Sequence, residues 1–150
     1  MTDTFPLGPE SVVGVVGAGA MGSGIAHVCA LGGYDVLLHD VSPERIQQGL
    51  GVIEKNLTRQ VSRGLIEPEA MEDALKRIQP AAELQTIGTT DLAIEAATED
   101  EETKKTIFKA LSPHLGEKTM LASNTSSISI TRLASVTDRP DKFIGLHFMN

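Results

Sequence analysis

The sequence predicts an α/β fold in which a doubly wound parallel sheet carries helices on both faces. Three observations predict it. Apolar runs rich in Val, Leu and Ile recur at 12–17 (VVGVVG), 35–40 (DVLLHD), 91–97 (DLAIEAA), 119–124 (TMLASN) and 142–148 (KFIGLHF). Few polar residues interrupt them, as expected of strands buried on both faces. Longer amphipathic stretches separate the runs, which is the alternation of right-handed β-α-β units. A glycine-rich turn, GAGAMG at 17–22, joins the first run to the first helical stretch. With 150 residues, 41% of them hydrophobic, the chain suits one domain over 1–150 with a substantial core.

The elements follow in order. After the first strand and the glycine turn, AHVCALG at 26–32 reads as a buried helix face, so the single cysteine, Cys29, is read as a structural thiol. The second strand ends at Asp40. In the long helix after it, Ser42 is the N-cap, Pro43 takes the first position and Gly64 offers a left-handed stop. Ile46, Leu50, Ile53, Leu57 and Val61 give that helix one apolar stripe, which Gly49 and Gly51 weaken locally. A second helix from about Pro68 to Arg77 makes a helical hairpin inserted between strands 2 and 3, longer than a crossover requires. A weak third strand is expected near Arg77–Pro80. The fourth, fifth and sixth strands end in EAATED, SNTSS and HFMN, with Ser127 or Ser129 capping the helix after the fifth.

Composition removes several function classes. A net charge of −7 argues against nucleic-acid binding, which needs Lys and Arg on phosphates, and 3% aromatic residues leave few stacking platforms. No apolar stretch approaches the ~20 residues of a membrane-spanning helix, so no membrane partner is expected. The acidic start MTDTFPLGPE carries no targeting pattern and the lone cysteine suits a reducing compartment, which predicts a cytoplasmic location. No metal is expected.

The chemistry begins at GAGAMG. A strand precedes it, a helix follows it, and Asp40 ends the next strand, 23 residues after Gly17. That context makes a Rossmann-type dinucleotide site. Gly17 permits the tight turn, Gly19 lets backbone approach a pyrophosphate, and Gly22 lets the helix pack closely. Free amides at the helix start face the phosphates, so Gly17, Ala18, Gly19, Ala20, Met21 and Gly22 are all expected at the cofactor. The Asp40 carboxylate accepts from ribose hydroxyls and repels a 2′-phosphate, which selects NAD over NADP.

Ligands of an open α/β sheet meet the carboxyl ends of the strands. On its own, SNTSS reads as a turn with capping hydroxyls, and His147 as a structural histidine. The combination says more. LASNTSS, followed 21 residues after Ser126 by GLHFMN and preceded by GAGAMGSGIA, resembles the (S)-3-hydroxyacyl-CoA dehydrogenase family. EAATED stands where the family has V-E-A-x-x-E, and the resemblance runs from about Val12 to Asn150.

The resemblance implies an oxidoreductase that converts a 3-hydroxyacyl-CoA to the 3-ketoacyl-CoA with NAD. His147 matches the general base, Ser126 the serine that bonds the reacting oxygen beside the nicotinamide, and Asn150 an asparagine that positions cofactor and substrate. Glu99 and Lys104 match contacts to the nicotinamide half, with Ala96 and Ala97 of the same EAATED segment beside them. Without the resemblance, Lys104 reads as a solvated helix lysine. Asn56 and Arg63 fall near family residues that contact coenzyme A. Lys55, Arg59 and Arg63 also form a basic stripe at i, i+4 and i+8, for which phosphate contact and a solvated charged face both stay open.

Family members continue for about as many residues again into a helical domain. That domain supplies a glutamate for the catalytic histidine, much of the acyl pocket and the homodimer interface. The resemblance therefore implies an N-terminal half that binds NAD with little turnover of its own. Three alternatives stay open: a dehydrogenase of a free hydroxy acid such as carnitine or a sugar acid, one of the 6-phosphogluconate and hydroxyisobutyrate type, and a non-catalytic NAD(H)-binding module. The 6-phosphogluconate type shares G-x-G-x-M-G but relies on a later lysine.

Overall fold

In the computed structural model, which describes residues 7–148, the apolar runs form six strands. These are β1 (Val12–Val16), β2 (Asp35–His39), β3 (Ile78–Ala81), β4 (Leu92–Glu95), β5 (Met120–Ser123) and β6 (Phe143–Gly145). All pair in parallel, in the order β3-β2-β1-β4-β5-β6. The order reverses between β1 and β4, and the crevice outside the carboxyl ends of those two strands is where such sheets bind ligands.

Successive residues of a strand point to opposite faces, and both faces are buried. Val15 and Ile94 pack on one side with Ile25, Leu38, Ile53 and Leu57. Val16 and Ala93 pack on the other with Ile87, Phe108, Leu121 and Leu133. The first core lies under α1 (Ala20–Leu31), α2 (Pro43–Ser62) and α3 (Pro68–Arg77). The second lies under α4 (Leu84–Ile87), α5 (Glu101–Leu111) and α6 (Ile130–Ala134). Each fully buried Leu or Ile stabilises the fold by about 1.5–3 kcal/mol relative to exposure.

The helical hairpin between β2 and β3 forms as the sequence predicts. Ser42 Oγ accepts the Arg45 amide, Pro43 opens α2, and Gly64 takes a left-handed φ of +71°. Gly49 is a close approach rather than a weak point: a Cβ there would lie 2.7 Å from Ser23 Oγ and 2.9 Å from Ala18 O. Helix α2 thus presses directly on the glycine turn. Cys29 is half-buried, and burial pushes its thiol pKa up.

Two differences from the sequence reading, and one weak element that it expected, have physical causes. Helix α4 has no expectation behind it, because four residues carry no detectable period; its Ile87 sits over Gly14, where a Cβ would meet Ile87 Cγ2 at 2.9 Å. Strand β3 is an edge, which explains both its weak signal and its tolerance of Pro80. Strand β6 stops at Gly145 instead of running to 148, because its neighbour β5 ends at Ser123 and the ladder has no further partner. His147 therefore stands in the segment after the strand. No helix among the described residues is long and apolar enough to cross a membrane.

Candidate functional site

The glycine turn lies between β1 and α1. Gly17 has φ +113°, a conformation L side chains rarely adopt, and a Cβ there would meet Ala96 O and Ala97 Cα, each at 2.7 Å. At Gly22 a Cβ would collide with Gly17 O, so the first turn of α1 packs tightly on the loop. Gly19, the N-cap of α1, faces open space. Asp40 is buried, and its carboxylate latches the loop: Ala18 N–H donates to Oδ2 (3.0 Å) and Ser42 N–H to Oδ1 (3.1 Å). Each oxygen keeps a second lone pair for another donor.

Two cavities flank this loop. The larger, about 430 Å³, is bounded by Gly19, Ala20 and Met21 on one side and by strand-end residues on the other, among them Glu99, Asn124, Ser126 and His147. Ala96 and Ala97 complete its wall. The second, about 370 Å³, takes Gly17, His39, Asp40, Val41, Arg45 and Ile107. His39 is buried, with Nδ1 donating to Ala81 O at 2.7 Å. Val41, 91% exposed, offers an apolar surface at the rim.

Ser126 and His147 are both exposed on the larger cavity and share it with the start of α1. Leu146 N–H donates to Ser123 O at 3.0 Å, and Phe148 N–H to Asn124 Oδ1 at 2.9 Å. Both amides flanking His147 are therefore held by the end of β5. Glu99 is tied to the same region, accepting Thr125 Oγ1–H at 3.2 Å.

Other expected residues lie elsewhere. Lys104, expected beside the nicotinamide or in solvent, is fully buried and lines neither cavity. Its ammonium donates to Glu95 Oε1 at 2.5 Å and to Asn124 O at 3.3 Å. Helix α5 turns it inward on the face that also carries Phe108 and Leu111. Half-buried Asn56 and exposed Arg63 lie on and just after α2 and line neither cavity. Asn150 lies outside the described residues.

The sequence reading missed Asn124, which both lines the larger cavity and holds the Phe148 amide. It also missed Glu95, which accepts Lys104 Nζ and Ser123 Oγ on Oε1 and the Ala97 amide on Oε2. The available signal was the acidic residue itself: a glutamate closing an otherwise apolar central strand needs buried partners.

The arrangement fits a dinucleotide. Free helix-start amides at an unobstructed glycine suit a pyrophosphate. The two cavities on either side of the turn offer room for the two ends of the molecule, and Asp40 stands at the second.

Comparison with known proteins agrees with this geometry. The family model for the 3-hydroxyacyl-CoA dehydrogenase, NAD binding domain, matches residues 12–150. A 3-hydroxybutyryl-CoA dehydrogenase of Bradyrhizobium diazoefficiens is 54% identical over 138 residues, which is 92% of this chain and 47% of that protein. The 3-hydroxyadipyl-CoA dehydrogenase of Escherichia coli is 42% identical, over 92% of this chain and 29% of that protein. Among solved structures, the (S)-3-hydroxybutyryl-CoA dehydrogenase of Ralstonia eutropha aligns with a TM-score of 0.90 at 42% identity, covering 94% of this chain and 50% of that one. The chain spans about half the length, or less, of the curated relatives it matches.

Proposed function

Because the chain belongs to the 3-hydroxyacyl-CoA dehydrogenase family, as its NAD binding domain, we propose that it is the nucleotide-binding half of an enzyme interconverting (S)-3-hydroxyacyl-CoA and 3-ketoacyl-CoA. One observation carries the reading: Ser126 and His147, 21 residues apart in sequence, face one cavity together with the start of α1.

NAD, when bound, supplies the two-electron acceptor. The protein's residues do the rest. The amides from Gly19 to Met21 hold the pyrophosphate, and Asp40 accepts from the adenosine ribose hydroxyls on its free lone pairs. The Ser126 hydroxyl donates to the reacting oxygen and fixes its direction. His147 removes the proton of the substrate hydroxyl and holds it as imidazolium, a task suited to a side chain that exchanges protons near neutral pH. Glu99 orients the nicotinamide side of the cavity, and Asn150 is a candidate to position cofactor and substrate, as the family resemblance implies.

Acyl-CoA is the substrate class this reading favours over a free hydroxy acid, and the relatives named for hydroxyacyl-CoA oxidation support it. Arg63, with Arg59 and Lys55, is a candidate phosphate contact, and Asn56 a candidate neighbour to it. In the same reading the whole protein is a cytoplasmic homodimer; the family resemblance supports the dimer, and the single half-buried cysteine a reducing compartment.

The test is oxidation of (S)-3-hydroxybutyryl-CoA by the whole protein, followed as NADH absorbance, with free 3-hydroxybutyrate as control. The expected result is turnover of the thioester alone and a loss of about 100-fold or more in His147→Gln. Equal turnover of both compounds, or full activity in His147→Gln, would overturn the reading.

A further inference from the structure

A continuous polar chain, buried at its Lys104 end, runs from α5 to the segment that carries His147. Its first member is Lys104, whose ammonium lies between Glu95 Oε1 and Asn124 O, with no solvent exposure at either charged side chain. Glu95, at the end of β4, also receives Ser123 Oγ–H at 2.7 Å and the Ala97 amide at 2.8 Å. Asn124, just after β5, presents its side-chain oxygen to the Phe148 amide at 2.9 Å. One ammonium is thus connected to the three strand-end segments that face the start of α1 across the larger cavity: the residues after β4, after β5 and after β6.

A lysine confined to the interior costs several kcal/mol to desolvate, and apolar residues of similar volume would fill the space at lower cost. What apolar packing would not provide is direction. An ammonium donates along defined lines, and charge-assisted bonds are about twice as strong as neutral ones. Here those lines end on the carboxylate that holds the Ala97 amide and on the carbonyl of the residue that holds the Phe148 amide.

We infer that Lys104 is a positioning residue: with Glu95 it sets Asn124, and Asn124 sets the backbone beside His147, so that the imidazole faces the start of α1. The inference rests on the reading of this cavity as the nicotinamide end of the site.

The test uses the chain labelled for NMR, with NADH as the probe. Two reporters are read: the His147 ring signals on NADH addition, and hydrogen exchange at the Phe148 amide. His39, beside the second cavity, is the internal control for binding. In the parent chain NADH is expected to shift both histidines. In Lys104→Gln the His147 shift is lost and Phe148 exchange rises by about tenfold or more, as when a buried hydrogen bond opens, while His39 still responds. Asn124→Leu, which leaves the ion pair intact, is expected to do the same, and Asn124→Asp, which keeps the acceptor, to restore both reporters. Should Lys104→Gln fail to fold, the Asn124 pair decides the matter. Parent-like His147 shifts and Phe148 exchange in the variants that fold would overturn the inference. If NADH shifts His39 but not His147 in the parent chain, the nicotinamide reading itself falls, and the inference with it.

Discussion

The Lys104 ammonium lies 2.5 Å from Glu95 Oε1, and neither side chain reaches solvent. Breaking such a pair from one side leaves an uncompensated charge in the interior, at a cost of about 3–5 kcal/mol. Lys104→Met is therefore predicted to lose about that much in equilibrium urea unfolding. The double variant Glu95→Gln with Lys104→Met removes both charges and is predicted to recover most of the loss. Equal stabilities for the single and double variants would show that the charges are not coupled.

Gly49 gives a second prediction. A methyl group there would press on Ser23 Oγ and Ala18 O, and neither belongs to a long flexible side chain that could swing away. Gly49→Ala is predicted to destabilise by about 1–3 kcal/mol through overpacking, despite the better helix propensity of alanine. It is also predicted to weaken NADH binding, because the displaced atom belongs to the glycine turn. Gly51, which faces open space on the same helix, is the control: Gly51→Ala is predicted to be stabilising in a thermal melt.

Acid should act on α5 through Asp100. Its carboxylate accepts from the Thr103 hydroxyl and amide and caps the helix, and these two bonds, the hydroxyl's first, hold its pKa below the ordinary aspartate value of 3.8. A depressed folded-state pKa means that this stabilisation is present above the unfolded value and is lost as pH falls through the folded one. Asparagine caps comparably without titrating. The Asp100→Asn variant is therefore predicted to show a shallower fall in unfolding stability below about pH 4 than the parent chain. Parallel acid limbs would contradict it.

Much of the fold was legible from residue pattern, and the exceptions share a cause. Apolar runs marked β1, β2, β4 and β5 because strands buried on both faces have no reason to alternate. Ser42, Pro43 and Gly64 marked α2 because caps are local chemistry. Helix α4 and the end of β6 were not legible: one is too short to show a period, and the other is set by where its neighbour stops. At the site, GAGAMG and Asp40 announced themselves by spacing, whereas Ser126 and His147 became candidates only through the family resemblance. The inward turn of Lys104 and the bond from Asn124 to Phe148 depend on how three distant segments converge, and no local pattern encodes that.

NAD is expected to lie across the glycine turn with Asp40 at the adenosine end. Direct titration of NADH into the parent chain and into Asp40→Ala, read by NADH fluorescence, tests it. Saturable one-site binding is expected, weakening by about tenfold or more in the variant, the cost of losing a charge-assisted hydrogen-bonding partner. An Asp40→Ala chain that folds and binds NADH as tightly as the parent would contradict it.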